Sequence, residues 1–481
     1  MGHLLLRDVP FCDKMGLYAR KEDFSMKKFL HIKMTTTRII VLGFLIGIVL
    51  GGFLLWLPVS SKADQDISFV DALFVATTSL CVTGLTPVVM AEQWNYFGQA
   101  VILFLMQFGG LGVITFTTTV LLMLGKRITL KERMLIQDSY NLDSISGVVK
   151  LTKRIIKGTL LVEAGGAVLY SFVFIPEYGV PDGIWKSVFH AVSAFCNAGL
   201  DLVGSNSLMV YQTNVIINVA TMLLIILGGL GFPVWWDVLD VIKRARKKEI
   251  LWQDSFAKLN VHSKLVLVMS AFLIFGGGIL IFLFEFHNPE TIGNLSVGNK
   301  VMAAMFESVT LRTAGFQTIP QEGLSEASTL LVLIWMFIGG SPSGTAGGVK
   351  TVTMIILILS MLAAVRGTDE VRAFHRKISD NYVRRAVAVI VVFFVALIAV
   401  AMALSITEEG SFIDILFEAT SAMATVGLTR GFTGSLTTVG KWIIIFAMYA
   451  GRLGPITMAL AFNAKKYEGK KTYAEGKVII G

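Results

Sequence analysis

The stretch TTSLCVTGLTPV, residues 77–88, sets hydroxyls, a glycine and a proline between two strongly apolar segments. A membrane-crossing helix needs about 20 mostly apolar residues to pass a hydrocarbon core about 30 Å thick. The helical part before this glycine, Phe69 to Leu80, offers only about three turns at 1.5 Å per residue, too short to cross. The segment is therefore expected to enter the bilayer and return on the side from which it came.

Three other stretches repeat the pattern: FVATTSLCVTGL (74–85) is matched by FHAVSAFCNAGL (189–200), FESVTLRTAGF (306–316) and FEATSAMATVGL (417–428). Their last glycines, Gly84, Gly199, Gly315 and Gly427, lie 112 to 116 residues apart, which marks an internal repeat. An apolar run precedes each stretch (39–58, about 157–175, 264–286, 385–406) and another follows it (98–124, 214–242, 328–365, 440–462). The unit reads as span, short amphipathic helix, glycine loop, span. A returning loop leaves backbone groups without helical partners, and a bilayer tolerates these only where protein buries them or a watery cavity receives them. Four such loops suggest one shared cavity. Glycine there permits positive φ and lets carbonyls face a common axis, where a ring of them can replace the water shell of a monovalent cation. The competing reading is small-residue packing between helices.

Composition agrees with a membrane chain. Of 481 residues, 54% are hydrophobic and 16% charged, so several spans are expected between about Arg38 and Ala464. Met1 to Lys33 is mixed and basic without a small-residue cleavage site, so no removable leader is expected. The net charge of +9 invites a nucleic-acid reading. The bases, however, gather in linkers on one side of the expected spans, which is the mark of membrane orientation. Lys62, Lys186, Lys300, Arg312, Arg430 and Lys441 fall on the other side, read as the outside. Cys12, Cys81 and Cys196 have no metal-ligand spacing, and none of the six histidines stands in an H-E-x-x-H pair. An enzyme is not expected.

With these motifs in view the chain resembles the Trk/Ktr/HKT superfamily of cation transporters, and within it the membrane subunit of bacterial Ktr-type potassium uptake systems. The resemblance rests on VTGL (82–85), SAFCNAGL (193–200), TLRTAGF (310–316) and SAMATVGL (421–428). It rests also on QFGGLG (107–112), GKRITLKERMLIQ (125–137), IGGSPSGTAGGVKT (338–351) and GRLGPIT (451–457). It implies four pseudo-equivalent pore units around one ion path. The selectivity filter would be built from Val82, Thr83 and Gly84; Asn197, Ala198 and Gly199; Thr313, Ala314 and Gly315; and Thr425, Val426 and Gly427. Related plant transporters with serine at the first position favour sodium, so Gly84 implies potassium. No second glycine follows as in the T-V-G-Y-G filter of potassium channels, and a single ring of strong sites implies less strict selectivity. The third repeat is one residue shorter between Phe306 and Gly315, and Arg312 sits three residues before that glycine. A positive charge there repels the ion unless paired; Glu307 and Glu418 are the candidate partners, and a brace behind the filter is the expected role.

The spans after the filter loops are expected to be interrupted by small residues: Gly109, Gly110 and Gly112; Gly228, Gly229 and Gly231; Gly339 to Gly348; Gly451 and Gly454. The third interruption is the longest: Gly339, Gly340, Ser341, Pro342, Ser343, Gly344, Thr345, Ala346, Gly347 and Gly348 cannot hold a regular helix. The resemblance makes it the intramembrane gating loop. GTAGGVKT (344–351) nearly matches a phosphate-binding loop, but Val349 intervenes and no strand is expected before it. Arg452 lies deep in the last span, where a charge against lipid costs about 2.5–3.5 kcal/mol. It is expected to face the cavity, oppose cations and reach the loop at 339–348.

The expected fold is an all-α integral membrane protein of eight spans and four pore helices. Its parts are an N-terminal arm (1–37), pore repeats 38–146, 147–261, 262–381 and 382–464, and a tail (465–481), with both termini cytoplasmic in a bacterial cell membrane. The expected function is potassium uptake, with potassium as substrate, sodium as a candidate modulator and no covalent cofactor. Proton or sodium coupling is the alternative; intramembrane carboxylates for the former are few, namely Glu163, Glu307 and Glu418. No G-x-G-x-x-G follows an expected strand, so a nucleotide-binding domain is expected elsewhere, in a cytosolic RCK-type regulatory ring on which a homodimer sits. KRARKK (243–248) and the basic segment 366–385 are topogenic signals or its docking face, and the closing YAEGKVIIG resembles the tail of Ktr membrane subunits. Membrane lipid, and no nucleic acid, completes the partners.

Overall fold

The computed structural model describes residues 36–63, 65–112, 134, 148–455 and 457–458. The expected N-terminal arm, the motif at 125–137 apart from Met134, and the tail at 465–481 lie outside the described residues.

Four helices among the described residues are long and apolar enough to cross a membrane: Thr37–Trp56, Val149–Tyr178, Val261–Glu285 and Asp380–Thr407. Their outward faces carry Ile46, Leu50, Leu161, Phe172, Phe275, Ile279, Val395 and Met402, all exposed. Apolar bands of this extent mark a surface that contacts lipid rather than water. The inward faces of the long helices carry small residues where another helix must come close. In the first, a side chain on Gly52 would sit 3.1 Å from the Leu73 Cα and one on Gly51 2.8 Å from Leu105.

A half-helix follows each long helix: Phe69–Cys81, Val180–Cys196, Val297–Thr310 and Phe412–Ala424. Sequence starts these locally. Ser68 and Ser411 accept from the amides of Asp71 and Asp414, satisfying first-turn donors, and both helices carry an acid in the first turn. Nearly every side chain in the last two turns of each is buried, forming one core with the neighbouring long helices. A second set of helices then descends from the loops: Tyr96–Leu111, Val215–Gly229, Glu326–Phe337 and Thr438–Leu453. Buried acids at the ends of two long helices cap two of them. Glu285 accepts from the Ser325 amide at 3.0 Å, and Glu408 from the Thr437 amide at 2.8 Å.

Two of these descending helices are broken where the sequence places small-residue interruptions. The second turns by 99° into Phe232–Arg246. The third stops at Phe337 and resumes as Thr351–Val365 after a loop. The lower parts of the first and fourth lie outside the described residues. The glycines expected at these interruptions divide into two roles. Gly109, Gly110, Gly228, Gly229 and Gly451 are helical; the breaks come later, at Gly112, Gly231 and Gly454, with φ of +81°, +87° and +82°. The helical glycines serve approach instead. A Cβ on Gly109, Gly228 or Gly451 would overlap the carbonyl oxygen of Leu80, Phe195 or Met423, the same position in three half-helices. The all-α expectation needs one amendment. Arg372–Ala373 pairs antiparallel with Arg376–Lys377 in the basic linker, where Glu370 binds Arg372 at 2.7 Å and Lys377 at 2.9 Å.

Candidate functional site

Each half-helix leads into a left-handed residue, directly in the first, second and fourth and after a short turn in the third: Val82, Asn197, Thr313 and Thr425 have φ of 56°, 60°, 68° and 52°. Two residues on, Gly84, Gly199, Gly315 and Gly427 take φ of 110°, 64°, 82° and 95°. Four side-chain-bearing residues in this region carry strain that the surroundings must hold, a trait of sites where backbone itself is displayed. Hydroxyls at one position of the pattern do the holding. Thr78 accepts from the Gly84 amide at 2.9 Å, Ser193 from Leu200 at 3.0 Å and Ser421 from Gly427 at 3.0 Å, while Thr310 donates to the Phe316 carbonyl at 2.7 Å.

The four loops close on one another in cyclic order. A Cβ on Gly84 would meet the Ala198 carbonyl oxygen at 2.9 Å and one on Gly315 the Val426 oxygen at 2.7 Å; Gly199 stands likewise against Ala314 and Gly427 against Thr83. Neighbouring glycine backbones also approach one another around the ring, for a Cβ on Gly427 would lie 2.7 Å from the Gly84 Cα and one on Gly199 2.8 Å from the Gly315 Cα. All twelve residues expected at the filter are thus together. Four helix C-termini end at the ring, and each brings about half a negative charge. The hydroxyls of Thr83 and Thr425 are buried without a hydrogen-bond partner among the described residues. A cavity of about 270 Å³ opens above, lined by the four glycines and by Asp201 and Thr429. Asp201 was missed from sequence, since one acid two residues past a glycine has no motif.

The shorter third repeat is absorbed at the helix end. Thr83, Ala198 and Val426 donate to carbonyls five residues back, whereas Ala314 donates to Thr310, four back. The glycine reaches the ring one residue sooner. Arg312 is buried and pairs with neither Glu307 nor Glu418. Its guanidinium donates to the Ser270 hydroxyl at 3.1 Å, and its carbonyl accepts from Asn197 at 3.4 Å. Glu307 instead accepts from Gln321, and Glu418 from Thr429 and Thr433. Each acid bonds to polar neighbours on its own repeat, though the Glu307 Oε1 has no partner among the described residues, and neither candidate pair with Arg312 forms.

The glycine-rich loop lies directly under the ring. Ser341 and Thr345 donate through their amides to the Gly229 and Gly228 carbonyls at 2.9 and 3.1 Å. The Thr345 hydroxyl reaches the Phe195 carbonyl at 3.0 Å and the Asn197 side chain at 2.9 Å, and the Gly347 amide donates to the Thr313 hydroxyl at 3.1 Å. Pro342, Ser343 and Gly344 face the bend at Gly231, where the Phe232 amide donates to the Ser343 carbonyl at 3.1 Å. Gly340 donates to the Gly347 carbonyl at 3.3 Å and Gly339 to Val349 at 3.0 Å, tying the two ends of the loop together. Ala346 accepts from the Lys350 ammonium at 2.6 Å, and Gly348 has φ +65°. No strand precedes the loop, which removes the phosphate-loop alternative. Arg452 spans the assembly: it donates to the Thr345 carbonyl and, at 2.5 Å, to the Gly109 carbonyl.

A family model described as "Cation transport protein" (TrkH) matches residues 20–471. The chain belongs to that family. It is 40% identical over 462 residues to the potassium/sodium uptake protein NtpJ of Enterococcus hirae, covering 95% of this chain and 99% of that one. It is 38% identical over 450 residues to the Ktr system potassium uptake protein B of Bacillus subtilis, covering 94% and 98%. The solved potassium transporter TrkH of Vibrio parahaemolyticus superposes with a TM-score of 0.70 at 19% identity, over 90% of this chain and 86% of that one, and shares its fold. The protein is a membrane cation transporter, and its relatives are transporters rather than enzymes.

Proposed function

We propose that the chain forms a potassium uptake pathway in which four repeats place their glycine loops around one ion path, with 339–348 as gate. The observation that carries this reading is the cyclic closure of Gly84, Gly199, Gly315 and Gly427 on the neighbouring carbonyls. A monovalent cation shedding water needs oxygen ligands at fixed spacing, and converging carbonyls at four helix C-termini supply them without a fixed charge that would hold the ion too tightly. Directly below, backbone from Ser341 to Gly347 occupies the route, and Arg452 adds a positive charge bound to that same backbone. The arrangement suits a closed state that opens when the loop withdraws.

A sodium-linked version has one supporting observation, the 40% identical relative whose name covers both ions. Proton coupling lacks such support, since none of Glu163, Glu307 and Glu418 lines the cavity above the ring. The Ktr system relatives support a separate regulatory subunit, which we read as a cytosolic nucleotide-binding ring on which a homodimer would sit. Its seat would be the basic linkers, both termini lying on that side.

The test is ion flux in liposomes containing the purified chain, measured for potassium, rubidium and sodium with and without imposed proton and sodium gradients. Potassium and rubidium uptake that ignores the proton gradient is expected. Uptake that requires a proton gradient, or equal passage of sodium, overturns the potassium-path reading.

A further inference from the structure

Away from the ring, a slot of about 610 Å³ opens between the second long helix and the bent segment Phe232–Arg246. Its walls are almost wholly apolar, including Leu161, Trp235, Trp236 and Leu239, and its rim carries Arg154 and Lys157. Gly158 keeps the slot open. A Cβ there would lie 3.5 Å from Trp235 and 3.6 Å from Trp236, in van der Waals contact, so a larger side chain would project into the slot. The Trp235 indole donates to the Leu227 carbonyl at 2.9 Å, but the Trp236 indole nitrogen is buried with no acceptor among the described residues. Neither base at the rim has an ion-pair partner among the described residues.

Depth decides what such a slot holds. The second long helix runs 31 residues, about 46 Å, well beyond a hydrocarbon core of about 30 Å. Counted down from Tyr178, where the chain turns into its half-helix, Gly158 lies about 30 Å below. Leu161 therefore falls within hydrocarbon, and Arg154 and Lys157 fall at the headgroups. The segment Phe232–Arg246, turned 99° from the helix before it, runs along that boundary with Lys243, Arg244 and Arg246 in its last turn. Tryptophans at this level and clustered bases beside them match the chemistry of an anionic leaflet.

We infer that this slot binds one anionic phospholipid. An acyl chain lies along Leu161 and Leu239, the phosphate sits between Arg154 and Lys157, and an ester or phosphate oxygen accepts from the Trp236 indole. The inference rests on the membrane placement of the chain and not on the ion path, so its test reads lipid rather than flux. Native mass spectrometry of the full chain in detergent, titrated with phosphatidylglycerol or phosphatidylcholine, should show one saturable phosphatidylglycerol per chain and no saturable phosphatidylcholine. Replacing Arg154→Gln and Lys157→Gln should weaken phosphatidylglycerol by about fivefold per base removed. Leu161→Trp, which fills the slot and leaves both bases in place, should abolish the bound lipid while the protein keeps its elution volume. Unchanged binding in the double variant, equal retention of phosphatidylcholine, or a cross-link from position 161 to a second copy of the chain overturns the inference.

Discussion

At Gly84 a side chain meets two obstacles at once: a φ of +110° that L residues rarely adopt, and a neighbouring carbonyl 2.9 Å from where its Cβ would stand. Gly84→Ser must therefore push Ala198 outward, at a strain of about 1–3 kcal/mol. A widened, asymmetric ring loses fit for one ion before it loses passage. The expected outcome is a potassium-to-sodium uptake ratio lowered by about tenfold, read in potassium-uptake-deficient cells expressing equal amounts of protein. An unchanged ratio would remove Gly84 from the ion path. Arg312 shows the same logic in reverse. Its identity suggested an ion pair, yet its guanidinium donates to Ser270 while its Nε has no acceptor among the described residues, and the two acids bond to other polar side chains.

The proposed gate would be a property of an element, since no single residue of 339–348 holds it in place. Its amides and the Thr345 hydroxyl bind the second descending helix and half-helix, while Arg452 binds its carbonyl from the fourth repeat. Arg452→Ala removes both a latch and a positive charge. Potassium flux without a partner should rise severalfold, the loss of one charge-assisted bond being worth about 1.5–3 kcal/mol. Deleting Pro342 to Ala346 should raise flux in the same sense. Combined, the two changes should give less than the product of their separate effects, because each disables one closed state. Wild-type flux in the deletion would make the loop a packing feature.

Contacts between the fourth and first repeats close the whole molecule. Lys441 meets Asp71 at 2.6 Å with both side chains mostly buried, and the Tyr449 hydroxyl donates to the Val41 carbonyl at 2.7 Å across 408 residues of chain. Lys441→Met should lower stability by about 1–2 kcal/mol by leaving a shielded carboxylate unpaired. Adding Asp71→Asn should return part of that loss, read as recovery of the thermal unfolding midpoint in detergent. At this scale the proposed regulation by a separate subunit is also tested. The chain should capture a cytosolic nucleotide-binding protein from its own host, and flux should respond to nucleotide only when that protein is present. Full nucleotide-responsive flux from the chain alone would end the two-subunit reading.

The recurring Phe, hydroxyl and glycine spacing made the half-helices, their glycine loops and the family legible in the sequence, because each depends on residues within about a dozen positions. The long apolar runs fixed the membrane class for the same reason. Sequence named the glycine clusters at the helix breaks but not which glycine of each makes the break: Gly228 and Gly229 are helical, and Gly231 turns. A glycine needed for close approach and a glycine needed for positive φ are the same letter, and only the neighbouring Phe195 carbonyl tells them apart. The cyclic ring, the docking of Thr345 on Asn197 and the two carbonyls held by Arg452 likewise came from tertiary structure. Most of these contacts end on backbone oxygens more than 100 residues away. Every residue has such an oxygen, so nothing in the sequence marks which one will be used.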